Sequence, residues 1–131
     1  PRPRVIDLTG RADLLTGFAA LRRARLFIGN DSGLMHMAAA AGVPTLGLFG
    51  PSDERLYAPY GPHARALRGP RDFETFRKLD PNLNQPLNHM GDLSVEAVLN
   101  AAGRLFADTE PRLPPPPAPA GLAPVEATAD A

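Results

Sequence analysis

Residues 26–49 hold the strongest constraint on what this chain can fold into: the apolar run Leu26-Phe27-Ile28, a turn of small polar residues, an alanine-rich stretch, and a second apolar run over 45–49. Apolar runs without alternation suit parallel strands buried on both faces, and two of them around a helical segment make one β-α-β crossover. Asp31 or Ser32 can cap the helix, and Gly42 followed by Pro44 ends it. The fold class expected is α/β, a parallel sheet with flanking helices. In such a crossover the carboxyl end of the first strand meets the N-terminus of the helix. The free N–H groups of Ser32, Gly33 and Leu34, with the positive end of the helix dipole, suit a phosphate group there, and Gly33 lets a ligand approach without a Cβ in the way.

The same reading extends along the chain. Residues 5–8 are expected as a short strand, and Asp13 opens a helix with Leu14, Phe18 and Leu21 on one face. Residues 64–67 are expected as another short strand, while 72–90, rich in Pro and Asn, read as irregular or weakly helical. Ser94 is placed to cap a helix to about Phe106, with Val95, Val98, Leu99, Ala102, Leu105 and Phe106 forming one apolar stripe. Residues 1–107 then form one folded unit. The Pro- and Ala-rich run 108–131 has too little apolar bulk to offset its ordering entropy and is expected to be disordered. A proline-rich ligand for an aromatic groove is its functional alternative.

Composition excludes several classes. Fourteen basic and fourteen acidic residues cancel, which argues against the basic stripe that nucleic acid requires. The arginines at positions 2, 4, 11, 22, 23 and 25 crowd the first quarter and read as a solvated face. With no cysteine there is no disulfide framework and no thiolate metal site. His36, His63 and His89 do not pair at a helical metal-ligand spacing, so neither a metal nor any other cofactor is expected. The longest mostly apolar stretch, 34–49, is interrupted by His36 and Pro44 and does not read as a transmembrane segment.

The DSGxxH core at 31–36, followed by AAA, GVPT and LFGP, with VIDLTGR at 5–11 and YGP at 60–62, resembles the glycosyltransferase family 9 heptosyltransferases over about residues 5–106. The resemblance implies a Rossmann-like, partial C-terminal domain of a two-domain GT-B enzyme. Such an enzyme transfers heptose from ADP-heptose to the inner core of bacterial lipopolysaccharide. It would work in the cytoplasm, peripherally at the inner membrane, on a lipid-linked saccharide acceptor met through the N-terminal domain. Inversion by direct displacement needs a carboxylate base from that other domain, so no catalytic residue is expected here. Transfer activity and strong donor binding are not expected of the fragment alone. The chain departs from the family pattern at Leu34, where many relatives have proline, and lacks cysteines often found near the end of the domain.

The candidate substrate-binding residues are Asp31, Ser32, Gly33, Leu34 and His36, with Thr9, Gly10, Arg11 and Ala12 in the loop after the first expected strand. A carboxylate beside a diphosphate is repelled, so Asp31 is expected to face the hydroxyls of the sugar, a role the resemblance also suggests; a plain helix cap is the alternative. Ser32 adds a neutral hydroxyl. His36, one turn into the helix, can lean back toward the same pocket. The loop at 9–12 lies where doubly wound sheets place ligands, and the resemblance puts the adenine there, with backbone groups and Ala12 as contacts. A bare strand-to-helix turn would look the same. Residues 50–53 close the next strand and are expected to border the cleft. Two other readings stand beside this one: a GT-B enzyme using a UDP-sugar, and a non-catalytic nucleotide-binding module.

Overall fold

The computed structural model describes residues 5–85 and 88–109; the proline-rich run lies, from residue 110 on, outside them. Asp13 opens the first helix, its carboxylate accepting the Thr16 N–H at 2.8 Å, and α1 (Leu14–Leu21) follows. Strand β1 (Phe27–Asn30), helix α2 (Gly33–Ala40) and strand β2 (Thr45–Phe49) form the expected crossover. Gly42 closes α2 at φ +76°, a conformation glycine adopts without a Cβ clash. A short helix α3 (Glu54–Tyr57) leads to strand β3 (Ala64–Arg68), and helices α4 (Phe73–Leu79) and α5 (Val95–Thr109) follow.

The three strands make one parallel sheet in the order β1-β2-β3, with Phe27 opposite Thr45 and Thr45 opposite Ala64. The expected α/β class is the one observed. Strand β2 lies in the middle and is covered on both faces. On one face Leu46 packs with Ala102 and Leu105 of α5, joined by Leu26, Leu48 and Leu67. On the other face α2 lies so close that a Cβ at Gly47 would stand 2.5 Å from Met35 Sδ and 3.0 Å from the Phe49 ring. Met35 and Ala38 are fully buried in that layer, with α1 packed against α2. Thr45, buried in the same strand, satisfies its hydroxyl by donating to the Val43 carbonyl at 2.8 Å, as a buried polar group must.

Three expectations need correction. Residues 5–8 are not a strand: among the described residues nothing pairs with them, and a strand exists only through its ladder. Val5 and Ile6 are consequently 82% exposed. Strand β1, expected to be buried on both faces, is an edge strand with alternate residues exposed, because among the described residues its apolar run meets a neighbour on one side only. The stripe on α5 is longer than the face it covers; Ala102 and Leu105 are buried whereas Val95 and Leu99 are exposed. Ser94 does cap that helix, its Oγ accepting the Ala97 N–H at 3.1 Å. Within 72–90 a regular helix forms because Asp72 accepts the Thr75 N–H at 2.8 Å.

Glycines in the two layers are expected to respond oppositely to a methyl group. Gly47→Ala forces Met35 and Phe49 apart and costs about 1–3 kcal/mol. Gly103→Ala, in α5 with open space around the new Cβ, gains roughly 0.5–1 kcal/mol. Urea unfolding of both variants beside the parent chain checks the two signs.

Candidate functional site

The tip of α2 is built by the turn between β1 and the helix. Asp31 still belongs to the sheet, its N–H donating to the Leu48 carbonyl at 3.3 Å. Ser32 is the N-cap: its backbone is extended (φ −165°, ψ 164°) and its Oγ accepts the Met35 N–H at 3.4 Å. Of the two caps the sequence allowed, Ser32 is therefore the one used, which leaves the Asp31 carboxylate available. The N–H groups of Ser32, Gly33 and Leu34 have no acceptor among the described residues. All three residues are exposed, and space around Gly33 is open for at least 4 Å where a Cβ would stand. The donors expected from the sequence are thus free and accessible. His36 reaches back to the same corner, its Nε2 3.9 Å from Asp31 Oδ1.

Beside this tip an open groove of about 750 Å³ runs between the loop before α1 and helix α2. Leu8, Thr9, Gly10 and Ala12 form one bank, Leu34 and Met37 the other. The loop is shaped by a turn in which the Arg11 N–H donates to the Leu8 carbonyl at 3.0 Å, with Gly10 at φ +66°. The Thr9 N–H donates to Asp7 Oδ1 at 2.9 Å, and hydrogen bonding from Thr9 holds the Asp7 carboxyl below the usual carboxylate range. Of the candidate residues, Thr9, Gly10, Ala12 and Leu34 share the groove. Arg11, Asp31, Ser32, Gly33 and His36 do not line it, and Leu34 is where the groove adjoins the helix tip.

The third strand end is held by a largely buried cation that no local sequence signal singles out. Arg68, the last residue of β3 and only 10% exposed, donates to the carbonyls of Gly50 and Ser52 and, through Nε at 2.9 Å, to Glu54. Residues 50–53 are therefore tied down by Arg68, and Asp53 is engaged in capping α3 and pairing with Arg55 at 2.8 Å. Next to this corner Arg71 lies 4.6 Å over the Phe76 ring and pairs with Asp92 at 2.6 Å. The buried Asp80 faces His89 Nε2 at 3.6 Å. Hydrogen bonds from Arg68, Arg55 and Arg71 hold the carboxyls of Glu54, Asp53 and Asp92, respectively, below the usual range. No three His, Asp or Glu side chains come together as a metal site among the described residues.

A model of glycosyltransferase family 9 (heptosyltransferase) matches residues 2–85. The chain belongs to that family. It is similar to lipopolysaccharide heptosyltransferase 2 of Escherichia coli (strain K12), 34% identical over 74 residues, 56% of this chain and 21% of that protein. It is also similar to lipopolysaccharide heptosyltransferase 1 of Pseudomonas aeruginosa, 43% identical over 56 residues, 43% of this chain and 14% of that protein. The crystal structure of a family 9 glycosyl transferase from Veillonella parvula DSM 2008 superposes with a TM-score of 0.64 at 35% identity, over 76% of this chain and 28% of that one. This family 9 chain spans about a fifth of the curated heptosyltransferase 2 it matches.

Removing the Arg68 side chain leaves two backbone carbonyls and the Glu54 carboxylate without their donor, and Arg68→Met is expected to cost about 3 kcal/mol. Because the Glu54, Asp53 and Asp92 carboxyls are held down in the folded chain, they bind fewer protons than in the unfolded one. Their contribution is present above the ordinary carboxylate range, about pH 4, and is lost as the pH falls through their lower folded values. Urea midpoints are expected to hold between about pH 7 and 5 and to drop toward pH 3, with a shallower drop in Arg68→Met.

Proposed function

We propose that this chain is the donor-binding part of an inverting glycosyltransferase that moves heptose from ADP-heptose to the inner core of lipopolysaccharide. The observation that carries this reading is the set of three unpartnered N–H groups at Ser32, Gly33 and Leu34, on the first turn of α2 and beside an open groove. Backbone donors and the positive end of a helix hold a diphosphate without a countercharge or a metal. In this reading Asp31 accepts from hydroxyls of the transferred sugar, and Ser32 and His36 donate to the diphosphate. Thr9, Gly10 and Ala12 form the edge against which the adenine lies, in the groove whose other bank is Leu34 and Met37, with Arg11 in the same turn but outside the groove lining.

The chemistry follows from where charge develops. As the acceptor hydroxyl attacks the anomeric carbon, the bond to the diphosphate breaks and negative charge grows on the departing oxygen. Fixed amide dipoles aimed at that group stabilise it with little reorganisation. The base that deprotonates the acceptor, and the lipid-linked acceptor itself, are assigned to an N-terminal domain of a two-domain GT-B enzyme. That enzyme is placed in the cytoplasm, at the inner face of the membrane. No helix among the described residues is long and apolar enough to cross a membrane. The heptosyltransferase names of the relatives and the DSGxxH turn support heptose as the sugar.

Gly33 offers a clean test, because it is the first helical residue and follows an extended residue. Proline is well tolerated at that position, and its one chemical effect on the backbone there is to delete an N–H. In the full-length gene product, Gly33→Pro is expected to weaken ADP-sugar binding at least tenfold, about 1.4 kcal/mol, with the melting temperature retained. Gly33→Ala, which adds a Cβ but keeps the N–H, loses less affinity than the Pro variant. Equal affinity of the Pro and Ala variants would remove the amide donors from the account. Preferential transfer from UDP-sugars rather than ADP-heptose, measured on the same protein, would replace the proposed donor.

A further inference from the structure

We infer that His36 takes up a proton when an anionic diphosphate binds at the tip of α2, so that the Asp31–His36 pair makes binding tighten as the pH falls; this rests on the donor-site reading above. The pair stands at the corner where the free N–H groups lie, His36 Nε2 3.9 Å from Asp31 Oδ1, with the histidine side chain 49% and the aspartate side chain 24% exposed. Both groups therefore reach solvent and can exchange protons.

The pair is electrically isolated within its layer. Helix α2 carries no other charged residue, and α1, β1 and β2, the elements packed against it, read LLTGFAAL, FIGN and TLGLF, with no ionisable side chain among them. Asp7 and Asp13 line the groove beyond Leu34, and each already accepts a backbone N–H, from Thr9 and Thr16. Arg11 and, after α1, Arg22 and Arg23 are exposed and make no ion pair with Asp31 or His36. Arg25 stacks over Phe106 instead.

A bound diphosphate diester adds two negative charges beside the Asp31 carboxylate. The amide donors are neutral and offset this repulsion only through their dipoles. Histidine is the side chain that ordinarily gains a charge between about pH 5 and 8, and His36 stands 3.9 Å from the carboxylate that adjoins the helix end. Negative charge brought within a few ångströms favours the protonated ring, so one proton moves from solvent to His36 as the ligand binds. The arrangement gives the site a cation on demand, where a lysine would hold the anion at every pH.

The test uses the full-length gene product and ADP-ribose, whose two phosphates are both esterified, so that the ligand carries no phosphate monoester to titrate near about pH 6. Ring-proton NMR follows the titration of His36 with and without ligand, and amide shifts of residues 32–34 give the affinity. The expected result is a titration midpoint displaced to higher pH by the ligand, with binding about tenfold tighter at pH 6 than at pH 8. His36→Asn binds weakly at both values, and His36→Lys binds tightly at both, a pair of opposite outcomes that a packing role for the ring would not produce. Equal affinity at both pH values with an unmoved ring overturns the inference while the donor site stands. The same holds if the pH dependence survives in His36→Asn. No binding at any pH overturns the donor-site reading and the inference together.

Discussion

The close approach of α2 to β2 at Gly47 is the constraint from which the rest of the site follows. A methyl group at that position would meet Met35 Sδ at 2.5 Å, so the helix lies where it does because the strand presents bare backbone. The helix in turn brings Met35 and Ala38 into a layer with no exposed surface. Its first turn then falls at the end of β1, where Asp31 is still bonded to Leu48 of the neighbouring strand. The positions of the Ser32, Gly33 and Leu34 donors are thus set by packing within the first turn of the helix, on a rigid scaffold, as the proposed action through fixed dipoles requires.

Two corners of the same sheet edge are finished in opposite ways. After β2, the carbonyls of Gly50 and Ser52 are saturated by the guanidinium of Arg68, itself neutralised by Glu54. After β1, three N–H groups have no acceptor among the described residues. A buried cation with satisfied partners locks a loop, and stripping it of them is costly. Exposed donors at a helix start are satisfied by water until an anion replaces it. The contrast between a closed corner and an open one is what the donor-site proposal rests on.

Much of this was legible in the residues. The boundaries of β2 at Thr45 and Phe49, the cap at Asp13 and the stop at Gly42 follow from local rules of propensity, capping and positive φ, which act over a few residues. What escaped depends on neighbours distant in the chain. Residues 5–8 have strand-like composition yet no strand beside them, and β1 has the pattern of a central strand while lying at an edge. Arg68 reads as an ordinary strand-end arginine until residues 50–54 are seen to fold over it, and Phe76, Asp80 and His89 gather from a stretch with no periodicity to announce them. Of the candidate site, the helix-tip residues were marked by a motif with a physical reason for each position. The division between tip and groove, with Leu34 at the junction, was not, since it depends on how α1 packs against α2.

The placement of Asp31 shows why capping and binding are separated in this turn. Had Asp31 been the cap, its carboxylate would have accepted a helix N–H and taken a share of the dipole that an anion needs. With Ser32 capping, the hydroxyl satisfies Met35 N–H without adding charge, and the carboxylate is displaced by one residue to the side facing His36. A neutral cap keeps the helix start electropositive. The charged residue next to it can then serve hydroxyl groups rather than phosphate, which matches a ligand that carries both on adjoining atoms.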